Sequence, residues 1–234
     1  MITLNPKKLK WFQKDLEMIK ENLNKILDKI PSSVNLVAIS KTKSVDDILV
    51  AYNQGQRMFG ENKIQEMSEK HNLLPKDIKW HMVGHVQSNK IKYMAPYVDL
   101  IHGIDSFKSL LVINKEGKKN EKIIKCLLQL KISDEETKFG LEFNQIEDIL
   151  KSEDYNKLTN VKVSGIMAMA SYTNNIEILE KEFNNAKKLF DRIKENNNEF
   201  KILSMGMSND YNLAINCGSN MVRIGSSIFG SRNY

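Results

Sequence analysis

Eight short apolar runs punctuate this chain, beginning near Asn35, Gln56, Ile78, Val98, Ile123, Val161, Lys201 and Asn220. Most are followed by a polar turn and then by residues at helical spacing. Short continuous apolar runs read as strands buried on both faces, and such strands pair in parallel through helical crossovers. Eight strand–helix units within 234 residues predict an α/β fold, a single (β/α)8 TIM barrel, which uses about 250 residues as one domain. Two of the crossover helices are legible. Ser44 with Asp47 resembles a capping box ahead of Ile48, Leu49 and Tyr52, and Ile176, Leu179, Phe183, Ala186, Leu189 and Ile193 form an apolar stripe. Ahead of the first run, Phe12, Leu16, Ile19, Leu23, Ile26, Leu27 and Ile30 recur three and four apart, so an extra N-terminal helix is expected, stopped by Pro31. Nothing resembling a linker divides the chain, and residues 1–234 are expected to form one domain.

Composition narrows the function classes. No stretch approaches the roughly 18 apolar residues that span a bilayer, and residues 1–6 lead into a Lys-rich segment rather than a signal sequence. A cytoplasmic protein with no membrane partner is expected. Cys126 and Cys217 are too few for a disulfide framework and read as reduced packing residues. The net charge of +6 suggests an anionic partner, yet only four of the 35 basic residues are arginine: Arg57, Arg192, Arg223 and Arg232. A lysine-dominated excess interleaved with acids reads as a solvated surface, so no nucleic acid is expected. The densest run, residues 115–122, reads as an exposed helix end and loop.

Chemistry is concentrated at the predicted strand ends. Strand one, Leu36-Val37-Ala38-Ile39-Ser40, runs into Lys41, with Lys43 two residues on. A lysine leaving a buried strand either snorkels to the rim or gives up its proton, and a neutral amine can form a Schiff base with a carbonyl. Gly60, Gly84, Gly103, Gly206 and Gly225 fall at or just past predicted strand ends, the rim where barrel enzymes build their sites. The loops after strands seven and eight carry Ser204-Met205-Gly206-Met207-Ser208-Asn209-Asp210 and Arg223-Ile224-Gly225-Ser226-Ser227. In this barrel class those loops hold phosphate; Ser208 and Ser226 also read as helix N-caps. A Schiff-base lysine facing a phosphate cradle is what pyridoxal 5′-phosphate (PLP) requires. Arg223 would then face the pyridine nitrogen and keep it unprotonated, or else serve as a rim salt bridge. His81 and His85 stand four apart but straddle a strand end and a loop with no third ligand, so no metal is expected. His81 and His102 read as rim residues oriented by hydrogen bonds. Met167, Met169, Met205 and Met207 read either as pocket lining or as core filling.

Five ordered motifs carry a resemblance. Val37-Ala38-Ile39-Ser40-Lys41-Thr42-Lys43, Phe59-Gly60-Glu61-Asn62, Trp80-His81-Met82-Val83-Gly84-His85-Val86-Gln87-Ser88-Asn89-Lys90, Leu203-Ser204-Met205-Gly206-Met207-Ser208-Asn209-Asp210 and Met221-Val222-Arg223-Ile224-Gly225 closely resemble the pyridoxal phosphate homeostasis proteins. These are also called the proline synthase co-transcribed family. The resemblance runs from the first helix to Arg232, and it implies a barrel similar to the N-terminal domain of bacterial alanine racemase. It also implies that Lys41 is the Schiff-base lysine and that Asn62 lies beside the cofactor ring. Arg223 would meet the pyridine nitrogen, with Ser208, Gly225 and Ser226 on the phosphate. The family usually has Thr where this chain has Ser226, which keeps the hydroxyl, and Leu where it has Val86.

The resemblance implies a monomeric PLP-binding protein of intracellular vitamin B6 and amino-acid homeostasis, with PLP-dependent apoenzymes as partners and no significant catalysis. A racemase needs a base on each face of its substrate. In alanine racemase the second is a tyrosine from a further domain of the partner subunit, and this chain ends at Tyr234. The alternative is a PLP-dependent racemase-type enzyme using Lys41 and either His81 or His85. A lysine-rich nucleic-acid-binding barrel is a third reading, separated from the others by the yellow colour that a bound PLP imine would give.

Overall fold

The computed structural model describes residues 6–133 and 139–230, with side chains from residue 16 onward. The expectations placed on Phe12, Arg232 and Tyr234 lie outside the described residues and side chains. The chain opens with α1 (Pro6–Leu27), β1 (Asn35–Ile39), α2 (Val45–Asn53), β2 (Met58–Glu61), α3 (Ile64–Leu73) and β3 (Lys79–Met82). It continues through α4 (Ile91–Met94), β4 (Val98–Ile104), α5 (Phe107–Lys119), β5 (Ile124–Leu130), α6 (Phe143–Lys151), α7 (Glu153–Asn156) and β6 (Val161–Ala168). Last come α8 (Ile176–Lys194), β7 (Ile202–Ser204), α9 (Tyr211–Asn216), β8 (Met221–Ile224) and α10 (Ser226–Phe229). Each strand pairs in parallel with its sequence neighbours, and β1 closes the ring on β8 with Asn35 opposite Met221 and Ala38 opposite Ile224. All eight expected runs became strands; the largest offset is Gln56 against an observed start at Met58.

Alternation along the strands sorts the apolar residues into two layers. Val37, Leu100, Leu127, Met167 and Met221 pack together inside the barrel. Ala38, Phe59, Trp80, Ile101 and Leu128 belong to the larger layer between sheet and helices. Every strand is therefore buried on both faces, which is why the sequence shows runs rather than clean alternation.

The capping box at α2 is present, with Ser44 Oγ accepting from Asp47 N–H and the Asp47 carboxylate accepting from Ser44 N–H. Leu179, Phe183, Ala186 and Leu189 bury the expected stripe of α8, but Ile176 in its first turn is exposed. α1 packs against α2 and α10 through Ile19, Leu23 and Ile26. It ends at Leu27, which is exposed, and Ile30 packs from the turn beyond, because a residue preceding proline is pushed out of the helical region. The run 115–122 departs from expectation in part. Lys115, Lys118 and Lys119 face water, but Lys122 is half-buried and donates to Val98 O at 3.0 Å, and Glu116 and Gly117 are buried; a Cβ on Gly117 would stand 2.4 Å from the Asn160 carbonyl oxygen. Both cysteines are free thiols, Cys126 fully buried. Among the described residues no helix is long and apolar enough to cross a membrane.

Candidate functional site

At the end of β1 the chain turns through Ser40, Lys41 and Thr42, closed by a bond from Lys43 N–H to Ser40 O. Thr42 sits at φ 64°, a left-handed conformation that a β-branched residue adopts only when its surroundings enforce it. Those surroundings are an ionic cluster beneath the turn. Lys70 Nζ donates to Ser40 O at 2.7 Å, Glu61 Oε1 at 2.8 Å and Glu66 Oε1 at 2.7 Å. Glu66 Oε1 also accepts from Thr42 N–H at 2.6 Å, and Ser40 Oγ donates to Glu61 at 2.7 Å. Burial pushes the Glu61 carboxyl above its usual range despite the ammonium beside it. Lys43 Nζ donates to Phe229 O, tying the turn to α10.

The loops after β7 and β8 meet this turn. Gly206 has φ 97°, and a Cβ there would lie 2.7 Å from Ala214 Cβ, so only glycine lets the chain leave β7 under α9. Gly206 O accepts from Arg223 N–H, and Ser208 Oγ accepts from Gly225 N–H at 3.3 Å, which joins the two loops. The N-caps of α9 and α10 are Asp210 and Gly225, so neither Ser208 nor Ser226 is a cap. Arg223 is buried rather than paired at the rim. Its guanidinium donates to Ser204 O at 2.8 Å, Ser204 Oγ at 2.7 Å and Ala168 O at 3.0 Å. Burial lowers its pKa to about 10, which leaves it cationic at neutral pH.

These elements enclose one cavity of about 710 Å³ at the C-terminal mouth of the barrel, within the usual size of a small-molecule site. Lys41, Ser208, Arg223, Gly225 and Ser226 all line it, together with Lys43. Among the described lining residues, Lys41, Lys43 and Arg223 are cationic and Asp210 is the carboxylate, a balance that suits an anion. Asn62 is not among the lining residues; it follows β2, and its backbone packs so closely on Gly84 that a Cβ there would meet the Asn62 carbonyl at 2.5 Å. Met169 and Met207 line the cavity, whereas Met167 and Met205 are core.

Two expected positions are corrected. His81 and His102 do not lie on the rim: both are buried, with His81 Nδ1 3.0 Å from His102 Nε2 and His102 Nδ1 3.2 Å from Ser204 Oγ. The strand pleat turns them inward, a choice of face that a short run does not reveal. His85 is exposed and paired with Asp105. Among the described residues no three His, Cys, Asp or Glu side chains converge as a metal site needs. The segment after β6 was missed: Ser171, Thr173 and Asn174 also line the cavity. The signal was available in the polar run 171–175 directly after a predicted strand.

A family model described as "Alanine racemase, N-terminal domain" matches residues 14–233. A Pasteurella multocida protein named "Pyridoxal phosphate homeostasis protein" is 36% identical over 230 residues, covering 95% of this chain and 98% of that one. PipY of Synechococcus elongatus superposes with a TM-score of 0.85 without PLP, at 30% identity, and 0.81 with PLP bound, at 29%. In each case the match covers 91% of this chain and all of that one. An alanine racemase of Clostridium difficile shares the fold, with a TM-score of 0.76 at 15% identity, over 93% of this chain and 57% of the racemase.

Proposed function

The chain belongs to the alanine racemase N-terminal domain family, with pyridoxal phosphate homeostasis proteins among its relatives, and from that premise we propose that it binds PLP in vitamin B6 and amino-acid homeostasis without significant catalysis. The observation that carries this reading is convergence. Residues from the end of β1, the β7–α9 loop and the end of β8, at opposite ends of the chain, place an amine, two hydroxyls and a guanidinium around one cavity. That donor set matches the aldehyde, phosphate and pyridine nitrogen of PLP in kind, and the same cofactor is bound in the PipY structure.

When bound, PLP supplies an aldehyde that a neutral amine can capture and a pyridine ring whose electron demand depends on the partner of its nitrogen. Lys41 is the amine, aimed by the turn that Lys70, Glu61 and Glu66 hold. Ser208, Ser226 and the backbone around Gly225 take the phosphate; Ser226 and Ser227 open α10, where first-turn N–H groups have no intrahelical acceptor. Arg223 would meet the pyridine nitrogen and, being cationic itself, would keep a proton off it. Asn62 is assigned to the ring edge, reached from the neighbouring turn.

The same geometry supports holding over turnover. Neither of the opposing bases considered for a racemase lines the cavity, since His81 is buried in the barrel and His85 is paired outside it. Two free thiols fit a reducing cytoplasm, and PLP-dependent apoenzymes are the recipients this reading assigns.

The test is a PLP titration read by visible absorbance and intact mass. Wild type should take up one PLP, and Lys41→Ala should lose both signals with its far-ultraviolet circular dichroism unchanged. The loaded protein, given a panel of L- and D-amino acids in deuterated water, should exchange α-protons negligibly. Exchange at an ordinary enzymatic rate of about 1–10³ s⁻¹, lost in Lys41→Ala, would overturn the non-catalytic part.

A further inference from the structure

A column of polar side chains crosses the barrel interior. It starts at Arg223 in the mouth, passes through Ser204 at the end of β7 and the buried rings of His102 and His81, and ends at Asp99, second residue of β4. His81 Nε2 stands 3.5 Å from Asp99 Oδ2, close enough for its N–H dipole to face the carboxylate but outside hydrogen-bond geometry. Asp99 gets there by a bulge. The register steps from Trp80 opposite Val98 to His81 opposite Leu100, leaving Asp99 as the extra residue of β4, a device that re-aims a side chain. Val98 thereby stays in the outer core and Leu100 in the inner one.

We infer that Asp99, at the base of the barrel, is a positioning residue for Arg223 at the mouth, acting through the tautomers of His81 and His102 and the hydroxyl of Ser204. The chemistry of each link fixes the direction. A guanidinium only donates, so Ser204 Oγ accepts from Arg223, and its one proton is left for its remaining contact, His102 Nδ1. With Nδ1 accepting, a neutral His102 carries its proton on Nε2 and donates it to His81 Nδ1. His81 then presents Nε2–H to the Asp99 carboxylate. The reverse order would face a bare imidazole lone pair against that carboxylate. It would also put two donors on Ser204 Oγ and leave the serine proton without an acceptor.

The column matters because, among the described residues, the hydrogen bonds that hold the buried Arg223 cation go to neutral oxygens, while Asp210 attracts it without a hydrogen bond. Aligned hydrogen bonds point their negative ends at the guanidinium, an alignment that Arg223 sets at one end and the Asp99 charge reinforces at the other. Lys79 and Lys125 are the other charges acting on His81, and both also favour an ionised Asp99.

The experiment uses unloaded protein labelled with ¹⁵N in histidine and arginine side chains. Wild type should show Nε2–H and bare Nδ1 for both His81 and His102. Asp99→Ala, at a half-exposed position, should fold, raise the share of the reverse tautomers and speed solvent exchange of the Arg223 guanidinium protons. An Nδ1–H tautomer of His102 in wild type, or unchanged tautomers and exchange in Asp99→Ala, would overturn the inference. One further reading rests on the proposed function: PLP affinity should fall by about threefold to thirtyfold in Asp99→Ala, the scale of remote coupling. Failure of wild type to bind PLP would sink that function and leave the tautomers to decide the relay.

Discussion

Lys70 places its ammonium where the Ser40 carbonyl and the carboxylates of Glu61 and Glu66 converge, below the turn that carries Lys41. Removing that cation strands Glu61, which is fully buried. Lys70→Met should therefore cost about 3–5 kcal/mol at pH 7, the usual penalty for breaking a buried pair. The cost should shrink on acidification, because a protonated Glu61 no longer needs a counter-charge; urea unfolding of both proteins at pH 7.5 and 5.5 reads this. Ser226 is exposed at the mouth and carries a lighter burden. Ser226→Ala should weaken PLP binding by about 1.5–3 kcal/mol, the scale of one hydrogen bond to a charged group, and leave the affinity for pyridoxal, which lacks the phosphate, unchanged. Equal losses for both ligands would take Ser226 off the phosphate. The residues at strand ends were legible because a lysine, an arginine or a Gly-Ser pair is conspicuous there. His81, His102 and the ionic cluster were not, since which face of a strand points inward, and which side chains of α3 meet the end of β2, depend on packing that one sequence does not display.

At the scale of elements, the strands were readable for the same reason the barrel is stable: parallel strands covered on both faces must be apolar throughout. What the pattern hid are the interruptions. The bulge at Asp99 leaves no mark in a run that reads Val98-Asp99-Leu100-Ile101. The apolar spacing of α1 likewise runs on to Ile30, although the helix itself stops at Leu27 because Pro31 holds Ile30 out of the helical region. The β7–α9 connection shows how an element sets the site. Gly206→Ala would put a Cβ into Ala214, which has no flexible end to move, on a backbone that L residues rarely adopt. A loss of about 2–4 kcal/mol is expected, with PLP affinity falling too, because Gly206 O holds Arg223 N–H and the neighbouring Ser208 holds Gly225 N–H. Wild-type stability and affinity in Gly206→Ala would show that this loop is not under the constraint described.

For the molecule as a whole, the inner barrel carries charge chemistry that governs its response to acid. Burial holds His102 well below its ordinary 6.5 and His81 below it as well. The unfolded chain takes up both protons near pH 6.5 while the native state refuses them. Their contribution is therefore complete above pH 6.5 and drains as pH falls below it, by about 1.4 kcal/mol per pH unit for each proton. Glu61, raised above 4.5, works the other way, since the native state takes its proton first; it offsets at most one proton of that slope. Unfolding free energy should accordingly drop between pH 7 and 5.5, and a flat profile would mean the barrel interior accepts charge.

The proposed function turns on one reacting atom, Lys41 Nζ, in the lining of the cavity. Reducing the PLP-loaded protein with borohydride and mapping the labelled peptide tests this most directly. A single pyridoxyl adduct on Lys41, absent from Lys41→Ala, is expected; the main adduct on Lys43 or Lys90, or label scattered over surface lysines, would overturn the assignment.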